Sequence, residues 1–132
     1  MDKLLDFFGI LSDETRLRII VLLNYKELCV CEICEILGLS QPKVSRHLSK
    51  LRDAGVVTDS RQGQWVFYYL DMKDNVMKNL ISIIADNKEQ YPVLKRDIQK
   101  LRKKLEEHRM CSREHRKEKG KGVPYLMETI KG

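Results

Sequence analysis

Apolar residues recur at helical spacing along most of the chain and give way, in one short region, to a dense β-branched and aromatic run. Residues 3–11, rich in Leu and Phe on more than one face, predict a short helix. Ser12 is a good N-cap, and Asp13 and Glu14 favour the positive end of a helix dipole. Leu17, Ile20, Val21 and Leu23 follow, widened by Ile19 and Leu22, so this second helix should be buried nearly all round. A third, short helix is expected from about Val30 to Leu37, stopped by Gly38. Ser40 then caps a fourth, with Pro42 in its first turn, that runs to Ala54 and ends at Gly55. Two helices joined by the tight Gly38-Leu39 turn have the outline of a helix-turn-helix.

Val56-Val57-Thr58 and Trp65 to Leu70 read as a hairpin whose polar tip is Arg61-Gln62-Gly63-Gln64. Residues 71–87 return to helix, with Val76, Leu80, Ile83 and Ile84 on one side. After a break at Tyr91-Pro92, Leu94, Ile98, Leu101 and Leu105 form a short heptad seam. The expected fold is mostly α with a small β-hairpin, a winged helix-turn-helix in the order α-α-α-α-β-β-α plus a C-terminal helical extension. It divides into residues 1–90 for DNA binding and dimerisation, a basic helical extension over 91–119, and a flexible tail over 120–132.

On the fourth helix Val44, Leu48 and Leu51 share one face, and the polar and basic residues turn away from it. Ser40, Gln41, Lys43, Ser45 and Arg46 crowd its N-terminal half, the part of a recognition helix that meets base edges. Arg can pair bidentately with guanine and Gln with adenine, whereas Ser and Lys mostly meet phosphates. Lys50 lies on the same side. His47 sits beside the apolar face, where it serves either packing or a base contact. Arg61, Gln62 and Gln64 supply the hairpin tip. An ordinary solvated helix face would show similar charges, but the preceding helix, the Gly turn and the basic hairpin favour DNA.

The stretch from Leu39 to Val57, read with the Arg61–Tyr69 hairpin, resembles the ArsR/SmtB family of winged helix-turn-helix repressors. The resemblance covers residues 4–88. It implies a homodimer on two-fold symmetric, double-stranded operator DNA, released when an inducer binds. Residues 3–11 and 73–87 are the expected dimer surface, with the heptad seam as a possible extension.

Cys29, Cys31 and Cys34 fall within six positions, a density of soft ligands that suits soft ions. Cys31 and Cys34 stand about 60° apart on a helical wheel and can aim together. Cys29 can join them only if the first turn unwinds or if it precedes the helix. A structural zinc wants a fourth ligand, which this segment lacks, whereas trigonal arsenite or antimonite wants three. The segment also resembles the arsenic-sensing box of the ArsR branch, which implies As(III) or Sb(III) as inducer at Cys29, Cys31 and Cys34 and no organic cofactor. Cadmium, lead or zinc sensing, a thiol–disulfide switch and simple packing remain alternatives. Glu27, Glu32 and Glu35 surround the thiols and oppose the electropositive setting that redox cysteines want.

Charge adds one asymmetry. The chain of 132 residues carries a net charge of +6, and the eleven basic and five acidic residues of positions 95–119 account for all of it. His108, Cys111 and His115 would share a face if that stretch stays helical, either as an accessory metal site or as a lone thiol in a basic tail. No membrane-spanning run or export signal is read, so a cytoplasmic location is expected. Neither a phosphate-cradling Gly loop nor a nucleophile elbow is present, and the CxxC lacks a βαβ setting, which argues against an enzyme.

Overall fold

Phe7, Ile20, Ile33, Leu48 and Leu51 come from four different helices, and each is no more than 1% exposed. They meet in a single core. The computed structural model describes residues 1–107. His108, Cys111 and His115 lie outside the described residues, together with the tail over 120–132. The helices are α1 (Asp2–Leu11), α2 (Glu14–Tyr25), α3 (Val30–Leu37), α4 (Gln41–Asp53), α5 (Asn75–Asp86) and α6 (Pro92–Glu106). A 3-10 turn over Lys88–Gln90 links the last two. The strands are β1 (Leu28–Cys29), β2 (Val57–Gln62) and β3 (Trp65–Leu70), antiparallel in the order β1-β3-β2. This is a winged helix-turn-helix with one more strand than the sequence reading expected.

Helix ends follow local chemistry. Gly38 closes α3 at φ 69 in the left-handed region, where a Cβ would be strained. Ser40 caps α4 by accepting the Lys43 N–H at 3.4 Å. One expected cap shifts by a residue. The Ser12 N–H and hydroxyl both bond back into α1, the hydroxyl to the Gly9 carbonyl at 2.7 Å. Asp13 therefore caps α2, accepting the Arg16 N–H at 3.0 Å. The wing is also tighter than expected. Arg61 and Gln62 belong to β2, paired with Val66 and Trp65, and the turn is Gly63-Gln64 with Gly63 at φ 65.

The apolar stripe read on α5 is split between core and solvent, since Leu80 and Ile84 are half-buried against the core while Val76 and Ile83 face outward. Ile81 and Ala85 are buried, and the Tyr25 hydroxyl donates to the Ala85 carbonyl at 3.1 Å. Val76 and Ile83 stay 56% and 58% exposed. The heptad seam turns wholly inward. Leu94, Ile98, Leu101 and Leu105 are all buried in the protomer's own core, where α6 packs on α2 and α3. The seam thus fills this core instead of extending a dimer surface. Buried Asp97 of α6 receives two hydrogen bonds from Arg18 of α2, at 2.8 and 2.9 Å. No helix of the described residues is long and apolar enough to cross a membrane.

Candidate functional site

Leu28 and Cys29 are too short a run to show any periodicity, yet they form a strand whose partners on β3 are Tyr68 and Phe67. Cys29 ends that strand and is the N-cap of α3, with extended backbone at φ −87, ψ 168. Its N–H donates to the carboxylate of fully buried Glu32 at 2.9 Å, which fastens the first turn of α3. Because Cys29 precedes the helix, its Sγ lies 3.2 Å from Cys31 Sγ. The assembled pair is therefore Cys29 with Cys31, with no unwinding required. Cys34 sits one turn further on and is half-buried.

Among the described residues no group of three His, Cys, Asp or Glu is arranged to hold a metal ion. Cys29 and Cys34 are free thiols, and exposed Cys31 takes part in a disulfide. Burial, and next the negative charge of Glu32, push the Cys29 thiol up to about 11. Burial also raises Cys34. At neutral pH the free thiols thus keep their protons.

On α4, Val44, Leu48 and Leu51 are fully buried, which turns Gln41, Lys43, Arg46 and Lys50 to solvent. Ser40 is exposed but spends its oxygen on the cap. Ser45 is half-buried, and so is His47, whose Nδ1 is buried without a partner. Burial lowers the His47 pKa, and nearby Asp13 opposes that shift. At the wing, Arg61 and Gln64 are exposed and Gln62 is half-buried. An Arg52–Asp59 ion pair at 3.0 Å joins the end of α4 to β2. Sequence reasoning missed β1, the Arg18–Asp97 pair and the pairing of buried Lys104 with Glu35. All are long-range contacts without a local pattern.

A reading helix whose polar face is exposed, a paired wing and a short helix before the turn make up the winged helix-turn-helix fold seen in transcriptional regulators. The chain belongs to the ArsR family: residues 13–59 match the bacterial regulatory protein, arsR family. The arsenical resistance operon repressor of Escherichia coli (strain K12) is 54% identical over 67 residues, which span 50% of this chain and 57% of that protein. The match therefore covers little more than half of that relative's length. The cadmium resistance transcriptional regulatory protein CadC of Listeria innocua serovar 6a is 40% identical over 64% of this chain and 70% of its own. Among solved structures, HlyU from Vibrio cholerae N16961 aligns with a TM-score of 0.60 and 32% identity, over 68% of this chain and 92% of that one.

Proposed function

We propose that the protein is a cytoplasmic repressor that binds double-stranded operator DNA as a homodimer and releases it when As(III) or Sb(III) binds Cys29, Cys31 and Cys34. The observation that carries this reading is the sulfur pair, 3.2 Å apart, at the start of α3. Cys29 is hydrogen-bonded into the wing sheet through β3, and α3 leads through Gly38-Leu39 into α4. A ligand that gathers these sulfurs therefore pulls on both DNA-facing elements. These three sulfurs are not arranged to hold an ion, and we assign completion of the set to a movement of α3. The inducer's preference for the moved form is the free energy that drives release. The relatives named for arsenical resistance support the same reading.

The dimer rests on two unpartnered apolar faces. Leu5 and Phe8 of α1 are 60% and 48% exposed, and Val76 and Ile83 of α5 are similarly open. Apolar faces of this kind mark association surfaces. Binding to DNA is assigned to Ser40, Gln41, Lys43, Ser45, Arg46, His47 and Lys50 of α4, and to Arg61, Gln62 and Gln64 of the wing. Arg46→Ala should weaken operator binding by roughly 1–3 kcal/mol and relax its sequence preference, whereas Arg61→Ala should lower affinity for all sequences and reduce the salt slope by about one. Affinities for operator and random DNA at several salt concentrations check this. An equal loss on both DNAs would move Arg46 into the phosphate-contacting group.

Proton balance separates a metalloid from a divalent cation here. Arsenous acid exchanges its three hydroxyls for three thiols: As–S bonds form, As–O bonds break, and the thiol protons leave as water. No net proton is released. A divalent cation must instead expel the thiol protons into solvent, which makes its affinity rise with pH. With Cys29 near 11, that penalty applies throughout the neutral range, and Glu32 adds repulsion to a negatively charged thiolate complex. The reduced protein–operator complex, titrated between pH 6 and 8, should be released by arsenite at nearly constant concentration and by cadmium only at concentrations that climb as pH falls. Failure of arsenite to release DNA would overturn the proposal. The disulfide at Cys31 favours one second reading, a thiol-oxidation switch. Thiols held protonated are poor nucleophiles for that chemistry.

A further inference from the structure

The family match ends at residue 59, well before α6, yet α6 grips the cysteine helix at two points. Lys104 Nζ lies 2.8 Å from Glu35 Oε2, the residue after Cys34. The Lys104 side chain is 4% exposed and that of Glu35 56%. One turn of α6 is thus committed to a buried ammonium whose carboxylate partner sits on α3. The second grip is indirect. Arg18, held by two bonds to Asp97 of α6, donates to the Leu37 carbonyl at 3.3 Å. Leu37 is the last residue of α3, where carbonyls lack helical partners, and the turn into α4 begins at the next residue.

We propose that α6 acts as a brace on α3, with Lys104 as its positioning residue, and that this brace sets the inducer concentration at which the operator is released. The proposal rests on the cysteine-sensor reading above. Whatever displaces α3 to complete the sulfur set must break or drag the Lys104–Glu35 contact and strain the Arg18–Leu37 bond. Both contacts favour the DNA-competent position of α3 and oppose the induced one. A ligand shifts such an equilibrium only by its differential affinity, so loosening the brace lowers the amount of ligand required. Leu101 and Leu105, which flank Lys104, keep α6 seated on the core when that one contact is removed.

The test uses the reduced full chain as wild type, Lys104→Met, Lys104→Arg and Glu35→Gln. Glu35→Gln alters the exposed partner and leaves the packing of α6 intact. Hydrogen exchange without inducer should show the α3 amides of Lys104→Met exchanging about tenfold faster, with α2 amides unchanged. The arsenite concentration for half-release should fall about tenfold. Glu35→Gln should shift both readings the same way, and Lys104→Arg should restore wild-type values. Unchanged α3 exchange overturns the brace, as does an equal acceleration in α2, which reports general destabilisation. An unchanged release threshold despite faster α3 exchange also overturns it. Faster α3 exchange in a protein whose wild type ignores arsenite instead overturns the sensor reading, so the two failures are distinguishable.

Discussion

Cys34→Ser should hold operator DNA with wild-type affinity and fail to release it at any arsenite concentration that clears the wild type. Cys34 is half-buried against the core and is none of the residues assigned to DNA, so its loss leaves every proposed DNA contact in place. It removes the one sulfur whose recruitment is assigned to movement of α3. Once the Cys31 disulfide is reduced, Cys29 and Cys31, whose sulfurs stand 3.2 Å apart, could be bridged without displacing α3. Two-sulfur binding should therefore persist in Cys34→Ser while release is lost. For the wild type, a hundredfold weakening of DNA binding corresponds to about 2.7 kcal/mol of coupling, and in Cys34→Ser this should fall close to zero. Cys31→Ser and Cys29→Ser should lose binding as well as release, because each dismantles the preassembled pair. Operator affinity by fluorescence anisotropy, with and without arsenite, decides the matter. Release of Cys34→Ser at the wild-type arsenite concentration would show that the third ligand is misassigned.

The contrast between Cys29 and Cys34 shows what local sequence can and cannot reveal. Helical spacing correctly predicted α3, its Gly38 stop, the Ser40 cap and the buried face of α4, since each is decided within one or two turns. The same spacing paired Cys31 with Cys34 and admitted Cys29 only through an unwound turn or a place before the helix. It could not choose the latter, because nothing in Leu28-Cys29 signals a strand. Those two residues are ordered by β3, some forty positions later in the chain, and that pairing carries Cys29 to its neighbour. On α5 the periodicity was real but ambiguous. The stripe straddles core and solvent there, and only the burial of Ile81 and Ala85, with Tyr25 bonded to the Ala85 carbonyl, shows where the core-facing side is centred. The heptad of α6 has the same ambiguity with a different outcome, since a seam suited to a second chain is consumed at home. Asp97 and Lys104 would read as solvated charges, and it is Arg18 and Glu35, distant in sequence, that draw them into the core.

Asp97→Ala should destabilise the protein by about 3–5 kcal/mol, because it breaks a buried pair by removing one partner. The Asp97 side chain is 2% exposed and that of Arg18 12%, and two short bonds join them. Removing the carboxylate leaves a guanidinium that is nearly enclosed, with the Leu37 carbonyl as its remaining acceptor in this cluster. Only 12% of the Arg18 side chain meets solvent, so the penalty is mainly desolvation of an uncompensated charge and not merely a lost contact. Exposed pairs behave differently. Asp59→Ala, which breaks the open Arg52–Asp59 bridge, should cost about 1 kcal/mol or less. A double change makes the argument sharper. Arg18→Met with Asp97→Ala removes both charges, and the pair should recover a large part of the loss, since two apolar groups leave nothing buried and unpaired. Urea unfolding of the four proteins in the cycle measures this. Additive losses in the double variant would show that Arg18 and Asp97 stabilise the fold independently, and α6 would then be held by its leucine seam alone.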